Sequence, residues 1–268
     1  MDALLRAPSA PGAAPKTESD QDLASNSSAA KAAGGEALLA DTLIAFGLAV
    51  MDALIQAPES STAFAHARRF AAALVAAVVP SRTRFRALRT RLVPDADPRQ
   101  RALRVALVAV GLGQQRGLAP RTLLELAEAS LCLDLGHTLV PEGSAPEVRR
   151  THPLLSVDLL AGHGGLGPVA RAAVAGHHER LDGSGAPLGL AGDAVPLPAR
   201  ILGLCVAFVA ATTPPAVGPP RPPYVALARL RGPGFDARLF AELEALLARR
   251  DAAWTSPPEG PRSAARAG

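Results

Sequence analysis

The chain has 268 residues, of which 49% are hydrophobic and only 3% aromatic. This length and apolar content suffice for a buried core, and a core rich in alanine, leucine and valine favours closely packed helices, so we predict an all-α protein. The formal charge of +4 comes almost entirely from arginine. Arginine, like alanine, glycine and proline, is favoured over the whole chain by a general bias in composition. The positive charge is therefore poor evidence for nucleic-acid binding, which we do not expect.

Cysteine usage and hydropathy bear on where the protein works. Cys132 and Cys205 lie in apolar runs without metal-type spacing, so we expect buried thiols in a reducing compartment. The N-terminus lacks an apolar segment of signal-peptide length, and the longest uninterrupted apolar runs are shorter than the roughly 18 residues of a membrane span. We therefore predict a cytoplasmic protein without a membrane span.

The N-terminal part of the chain is predicted to combine a tail with a small helical accessory region. Residues 1–35 are rich in Ala, Ser, Gly and Pro and lack periodicity, which predicts disorder. Apolar residues then recur at helical spacing from Glu36 to Pro58, and a second helix, with an N-cap among residues 60–62, ends at Pro80. We assign residues 36–96 to the accessory region, whose role in sensing or dimerisation stays open.

Basic residues are densest between Arg82 and Arg104, where eight arginines face two acids, Asp95 and Asp97. One interpretation is a solvated helix face with long side chains lying over apolar neighbours. The other is a patch that binds a polyanion. We favour the first, and the lack of interleaved aromatic residues argues against a single-stranded nucleic-acid surface.

Residues 97–250 are predicted to form a second helical region, followed by a disordered tail at 251–268. Proline and capping residues indicate helices that begin at Pro98, Pro120, Pro168 and near Leu197, with Asp97 as the first N-cap. The Pro120 helix is expected to reach Gly136. A further helix is expected to begin at a capping box, residues 144–147, and to be kinked by Pro153. Two short helices end near Arg249, the second capped by Asp236.

Five of the six histidines lie near one another in the sequence and near Asp134. They are His137, His152, His163, His177 and His178. Neutral imidazoles with a carboxylate are a ligand set for a divalent transition metal, and helices of a bundle can project them to a common centre. The alternative is that each histidine is satisfied by ordinary partners or by solvent, and we keep that interpretation for His163 in its glycine-rich turn.

The string HHERLDGSGAPLGLAGDAVPLPARIL, residues 177–202, resembles the HD-GYP domain. The segments LCLDLGHTLVP at 131–141, THP at 151–153 and GFDARLF at 234–240 extend the resemblance. This family is a subgroup of the HD-superfamily metal-dependent phosphohydrolases. The resemblance implies an HD-superfamily helical bundle over residues 97–250. It also implies, for active members, hydrolysis of the bacterial second messenger cyclic di-GMP with two or three metal ions held by histidines and aspartates.

The resemblance also implies that one half of the metal site has been lost. In the family, one ion takes two histidines and a late aspartate, and Arg101, Leu133 and Val206 stand at those positions here. The Gly-Tyr-Pro of the family name is replaced by Gly185-Ala186-Pro187. With apolar side chains at two ligand positions, we expect no ion in that half.

The other half of the site is intact by the same comparison. The bridging aspartate is present, as are the three histidines that hold the second ion. We therefore expect one divalent transition metal ion, Fe, Mn or Zn, or none if the site is fully degenerate. The predicted ligands are Asp134, His152, His177 and His178.

Several residues near these ligands are candidates for binding a phosphate ligand. Arg101 can neutralise the charge of Asp134 and donate two hydrogen bonds to a phosphate, or it can point into solvent with the other arginines. The glycine-rich loop after the histidine pair is associated in the family with ligand and partner contacts, although it can also be purely structural. From this region we predict as ligand-binding Arg180, Asp182, Gly183, Gly185 and Arg200.

Three functions follow from these observations. The first is a degenerate HD-GYP-like protein, catalytically impaired, that acts as a signalling or interaction module and binds cyclic di-GMP or another signalling protein. The second is a mononuclear metal-dependent phosphohydrolase in which Asp134 takes part in catalysis. The third is a structural interaction protein in which the histidines are relics. Oligomerisation stays open in all three.

Overall fold

The computed structural model describes residues 18–92, 94, 97–162, 165–215 and 221–248, with side chains from residue 34 onwards. These residues form eleven α-helices, two short 3₁₀ segments and no β-strand within the described ranges. The prediction of an all-α protein is therefore confirmed. The helices are α1 Glu18–Gln56, α2 Ser61–Val78, α3 Arg82–Arg91, α4 Pro98–Gln115, α5 Pro120–Cys132, α6 Pro146–Arg149, α7 His152–Ala161, α8 Pro168–Gly176, α9 Leu197–Thr212, α10 Pro223–Leu230 and α11 Ala237–Ala248.

Several helices begin where local capping signals predict. The Ser60 hydroxyl accepts a hydrogen bond from the Ala63 N–H at 3.3 Å, and the Asp97 carboxylate accepts one from the Arg99 N–H at 2.9 Å. Proline occupies the first turn of α4, α5 and α8, where its missing N–H would have no helical partner. Asp236 accepts from the Leu239 N–H at the start of α11. The structure confirms these helix starts. They could be predicted because each depends only on residues that are neighbours in the sequence.

Two predicted boundaries are wrong. The tail predicted over residues 1–35 is helical from Glu18, since alanine has the highest helix propensity and this stretch contains many alanines. The Pro120 helix ends at Cys132 rather than Gly136, because Leu135–Leu139 forms a 3₁₀ segment packed on α7. Residues 1–17 of the first predicted tail and the whole of the second, 251–268, lie outside the described residues, as does His163.

The predicted kinked helix around Pro153 is instead two helices. Ala145 precedes α6, and the Ser144 hydroxyl donates to the Pro141 carbonyl, so the expected capping box does not form. The second helix, α7, begins at His152, with Pro153 in its first turn. A proline in the first turn removes no helical hydrogen bond, so the chain restarts a helix here rather than bending one.

One hydrophobic core joins α1 to the helices that follow. Leu43, Val50 and Leu54 of α1 are buried together with residues of α2, α4 and α5. Within α1, Gly34–Gln56 is long and apolar enough to cross a membrane by length and composition alone, a test that core helices of soluble proteins also pass. In this fold α1 packs on α2, where the rings of Phe46 and Phe70 meet edge to face at 5.7 Å.

The arginine-rich segment contacts the acids of α1. Arg84 lies 3.0 Å from Glu36, Arg91 lies 2.6 Å from Asp41, and Arg99 lies 2.9 Å from Asp52. These pairs favour the interpretation of an ion-paired helix face over a polyanion patch. Asp95 lies outside the described residues.

Candidate metal centre

Three chain segments bring the predicted metal ligands together. Asp134 follows the end of α5, His152 is the first residue of α7, and His177 with His178 follows α8. The Nε2 atoms of His152 and His177 lie 3.3 Å apart, and Asp134 Oδ1 lies 3.4 Å from the first and 3.9 Å from the second. Ligand atoms of His152, His177 and His178 all lie within 4.8 Å of one another. The structure thus places the four predicted ligands in one cluster.

The hydrogen bonds of two histidines orient their free nitrogens toward this centre. His152 Nδ1 donates to the Arg149 carbonyl at 2.8 Å, and His177 Nδ1 donates to the Val174 carbonyl at 2.7 Å. A neutral histidine that is protonated at Nδ1 carries a lone pair at Nε2. The Nε2 lone pairs of His152 and His177 and the Oδ1 atom of Asp134 therefore point to one centre, and no proton lies between them. This donor set fits a divalent cation, and the backbone carbonyls fix the imidazole orientation as a metal site requires.

The protonation of the cluster is compatible with metal binding. Burial, together with the neighbouring His178, lowers the pKa of the fully buried His177 to about 3, and burial lowers the pKa of His178 to about 4. Burial would raise the pKa of Asp134, but its contacts with His152, His177 and Arg101 outweigh burial and leave this pKa below its usual value. At neutral pH His177 and His178 are neutral and the Asp134 carboxylate is ionised, which are the forms that bind metals.

Ser156 holds the segments of Asp134 and His152 in register. Its buried hydroxyl donates to the Leu133 carbonyl at 2.9 Å and accepts from the Gly136 N–H at 2.7 Å. Gly136 is required here because a Cβ would collide with the His152 carbonyl oxygen and the Ser156 nitrogen of α7. The chain after α5 therefore lies directly on the first turn of α7.

Glu125 holds the start of the helix that leads to the histidine pair. This buried residue of α5 accepts from the N–H groups of Val169 and Ala170 in the first turn of α8, at 2.9 and 3.2 Å. A carboxylate at this position satisfies two N–H groups that have no helical partner and complements the helix dipole. No local pattern around Glu125 predicts this contact, which joins residues more than forty positions apart.

His137 belongs to the same cluster, although the predicted ligand set omits it. Its ring stacks on that of His152 with centroids 3.8 Å apart, and its ligand atom groups with those of Asp134 and His152. The ligand set that the family resemblance implies contains Asp134, His152, His177 and His178 and leaves His137 out. Its place among the clustered histidines was the signal that could have found it.

A cavity beside Asp134 is lined by the three residues that replace family metal ligands in this chain. Arg101, Leu133 and Val206 border this cavity of about 210 Å³, together with residues of α1, α5 and the 3₁₀ segment. Arg101 Nη2 lies 3.3 Å from Asp134 Oδ2, and both side chains are partly exposed. The guanidinium therefore faces the carboxylate rather than pointing only into solvent, and two apolar side chains complete the wall.

The other predicted ligand-binding residues brace the loop that follows the histidine pair. Arg180 lies over the Phe235 ring at 4.6 Å and donates to the His177 and Glu179 carbonyls. Arg200 donates to the Val195 carbonyl and pairs with Asp193 and Asp236. These contacts support the structural alternative for both arginines, and none of them tests ligand binding.

The remaining residues predicted to bind a ligand determine the backbone conformation of the loop after the histidine pair. Asp182 accepts from the N–H and hydroxyl of Ser184, and Gly183 has a φ of +78°. Gly185 lies against the backbone of Glu179 and Arg180, where a side chain would not fit. The buried Glu179 carboxylate accepts hydrogen bonds from the N–H groups of Leu188 and Leu190.

Comparison with known proteins gives matches of several kinds. A response regulator of Xanthomonas campestris pv. campestris named cyclic di-GMP phosphodiesterase RpfG is 34% identical over 112 residues, which is 38% of this chain and 30% of that protein. A probable cyclic di-GMP phosphodiesterase of Vibrio cholerae is 58% identical over 36 residues, 13% of this chain and 8% of its own. The chain thus spans less than a third of the length of these curated relatives.

A solved structure shares the fold. It is Bd1817, described as an HDG"Y"P protein from Bdellovibrio bacteriovorus, with a TM-score of 0.66 and 17% identity over 78% of this chain and 71% of that one. Residues 91–236, more than half of the sequence, match the family described as HD domain. The HD-type helical fold expected from the motif at residues 177–202 is therefore confirmed, and the chain belongs to the HD domain family.

Proposed function

We propose that this protein is a catalytically impaired HD-GYP-like module that binds cyclic di-GMP at the histidine cluster and passes that signal to a protein partner in the cytoplasm. The observation that carries the proposal is the contact between Arg101 and Asp134 at the edge of an apolar cavity. Where the family resemblance implies ligands for a second ion, this chain offers a guanidinium and the side chains of Leu133 and Val206.

The residues that would hold a single ion are Asp134, His152, His177 and His178. When bound, a divalent ion supplies positive charge that polarises a phosphate oxygen. His152 and His177 present Nε2 lone pairs, and their Nδ1 hydrogen bonds to backbone carbonyls prevent the rings from turning. The Asp134 carboxylate lies between these nitrogens and Arg101, so it is shared by the metal site and the guanidinium.

Arg101 supports ligand binding rather than cleavage. Its side chain is 42% exposed and uses one donor on Asp134, so other N–H groups remain able to meet a phosphate. Two-ion phosphodiester hydrolysis stabilises both the attacking and the leaving oxygen, and loss of one ion removes several kcal/mol of that stabilisation. A permanent positive charge at the vacated position attracts the phosphate without supplying a hydroxide.

The names of the relatives in Xanthomonas campestris and Vibrio cholerae support cyclic di-GMP as the ligand. A mononuclear phosphohydrolase is the second candidate, favoured by the convergence of two imidazole nitrogens and a carboxylate oxygen. The two proposals differ in turnover, because the first requires binding without cleavage.

The experiment combines calorimetry with a product assay on the wild type, Arg101→Ala and His177→Ala. We expect cyclic di-GMP to bind the wild type, to bind Arg101→Ala at least about tenfold more weakly after loss of a charged hydrogen bond, and to remain uncleaved. Arg121→Ala, which removes an exposed arginine from α5, serves as the control and should bind like the wild type.

Two results would decide against the proposal. Cleavage by the wild type that disappears in His177→Ala would establish the mononuclear phosphohydrolase instead. Absence of binding by both the wild type and Arg101→Ala would eliminate cyclic di-GMP as the effector.

A further inference from the structure

A second cavity, separate from the histidine cluster, lies between α3, α4, α9 and the start of α10. Its volume is about 220 Å³, and its apolar walls include Leu92, Leu107, Val108, Phe208, Val209 and Leu247. Among the described residues, none lines both this cavity and the one beside Asp134. The two cavities therefore offer separate sites that share the helices α4 and α9.

A buried arginine, Arg104, is among the residues that line this apolar cavity. Arg104 is only 8% exposed, and its Nη2 donates to the Thr212 hydroxyl at 2.6 Å. Its Nη1 is buried and has no hydrogen-bond acceptor within the described part of the chain. Thr212 is a neutral partner whose own hydroxyl contacts the Phe208 and Val209 carbonyls. No carboxylate of the described residues forms an ion pair with Arg104.

Burial of the Arg104 guanidinium without a counter-charge costs folding free energy unless a ligand pairs with it. A buried charge without a counter-charge carries a desolvation penalty of several kcal/mol, and a buried N–H without an acceptor adds to it. Burial lowers the pKa of Arg104 to about 10, so the group is still charged at neutral pH. An anion at Nη1 would satisfy both the charge and the open donor.

The shape and lining of the cavity define the anion. Its volume is below the roughly 300–1,000 Å³ of sites for drug-sized ligands, so the occupant is small. The walls are mainly apolar, whereas Arg89 and Arg221 add positive charge to the lining. A phosphate dianion would lose its strong hydration against these mainly apolar walls. A monocarboxylate carries a single charge, and its hydrocarbon part can contact the leucine, valine and phenylalanine side chains.

We propose that this cavity binds a small monocarboxylate with a compact apolar body, whose carboxylate pairs with Arg104 and whose hydrocarbon part packs between α4 and α9. The site is independent of cyclic di-GMP binding, because it shares no lining residue with the cavity beside Asp134.

The test uses benzoate and hexanoate as probes of the full chain, with benzyl alcohol and hexanol as neutral analogues of the same shape and inorganic phosphate as the anion alone. We expect saturable carboxylate binding by calorimetry and at least about tenfold weaker binding of the alcohols, which lose the charged hydrogen bond. Inorganic phosphate should not bind at this site.

Two variants and one direct measurement separate the site from general anion binding. Arg104→Met keeps side-chain length without charge and should abolish carboxylate binding, whereas Arg101→Met, one turn away on α4, should leave it unchanged. Nuclear Overhauser contacts from the benzoate ring to the methyl groups of Val108 and Leu247 locate the ligand in the wild type, whatever the stability of the variants. Failure of both carboxylates to bind, equal binding of phosphate, or ring contacts elsewhere would each overturn the proposal.

Discussion

At the scale of single residues, Ser156 connects the segments that carry two of the predicted metal ligands, Asp134 and His152. Its hydroxyl makes two buried hydrogen bonds, one to the residue before Asp134 and one to Gly136. Because the hydroxyl serves as both donor and acceptor, its removal leaves one buried N–H and one buried carbonyl without a partner. The relative placement of Asp134 and His152 therefore depends on this side chain.

We predict that Ser156→Ala lowers the free energy of unfolding by about 1–3 kcal/mol, the cost of leaving buried polar groups unsatisfied. Denaturant titration measures the change. Ser184→Ala, which removes an exposed hydroxyl in the loop after the histidine pair, is the matched control and should change stability little. Equal stability of Ser156→Ala and the wild type would show that the hydroxyl does not hold these segments together.

Individual site residues differ in how far they could be predicted. His152, His177, His178 and Asp134 were identified because their spacing and the surrounding motif are specific, and the structure brings them together. The orientation of Arg101 toward Asp134 remained one of two alternatives, because side-chain direction depends on the packing of α4 against α5. His137 lies outside the ligand set that the resemblance implies, and only its ring contact with His152 in the folded chain shows that it belongs to the cluster.

At the scale of elements, helix starts that depend on proline and capping residues were predictable, whereas contacts between distant helices were not. Pro98, Pro120 and Pro168 all lie in first turns. The contact of Glu125 with the start of α8 joins distant parts of the chain, so no local pattern reveals it. The helical start of α1 at Glu18 was missed because absence of apolar periodicity was interpreted as disorder.

The Glu125 contact gives a second prediction. Glu125→Ala should lower the free energy of unfolding by about 1–3 kcal/mol, because the N–H groups of Val169 and Ala170 lose their buried acceptor. Arg121→Ala removes the exposed partner of the same carboxylate and should change stability by less than about 1 kcal/mol. If the two variants were equally stable in thermal melts, Glu125 would not be anchoring α8.

The packing of α1 gives a third prediction. A Cβ at Gly47 would lie 2.7 Å from side-chain atoms of Leu103 and Phe70, so α1 approaches α4 and α2 closely at this glycine. Gly47→Leu should therefore cost about 1–3 kcal/mol through overpacking. Gly34→Leu, where nothing lies within 4 Å of the added Cβ, is the control and should not lower stability. A tolerated Gly47→Leu would contradict the packing of α1 in the core.

At the scale of the whole molecule, one all-α fold carries a cluster of candidate metal ligands beside a cavity, and Asp134 and His137 of that cluster also line the cavity. Asp134 lies at the boundary, 3.4 Å from His152 on one side and 3.3 Å from Arg101 on the other. HD domain membership follows from residues 91–236 and is independent of catalytic competence.

The most direct test is the number of metal ions per chain in protein purified from metal-supplemented medium, measured by elemental analysis together with protein concentration. We predict one divalent transition metal ion per wild-type chain and its loss in His177→Ala, because the surviving ligands form one site. Two ions per chain in the wild type would contradict the proposal, because the histidine cluster would then hold a second ion although Arg101, Leu133 and Val206 stand beside it.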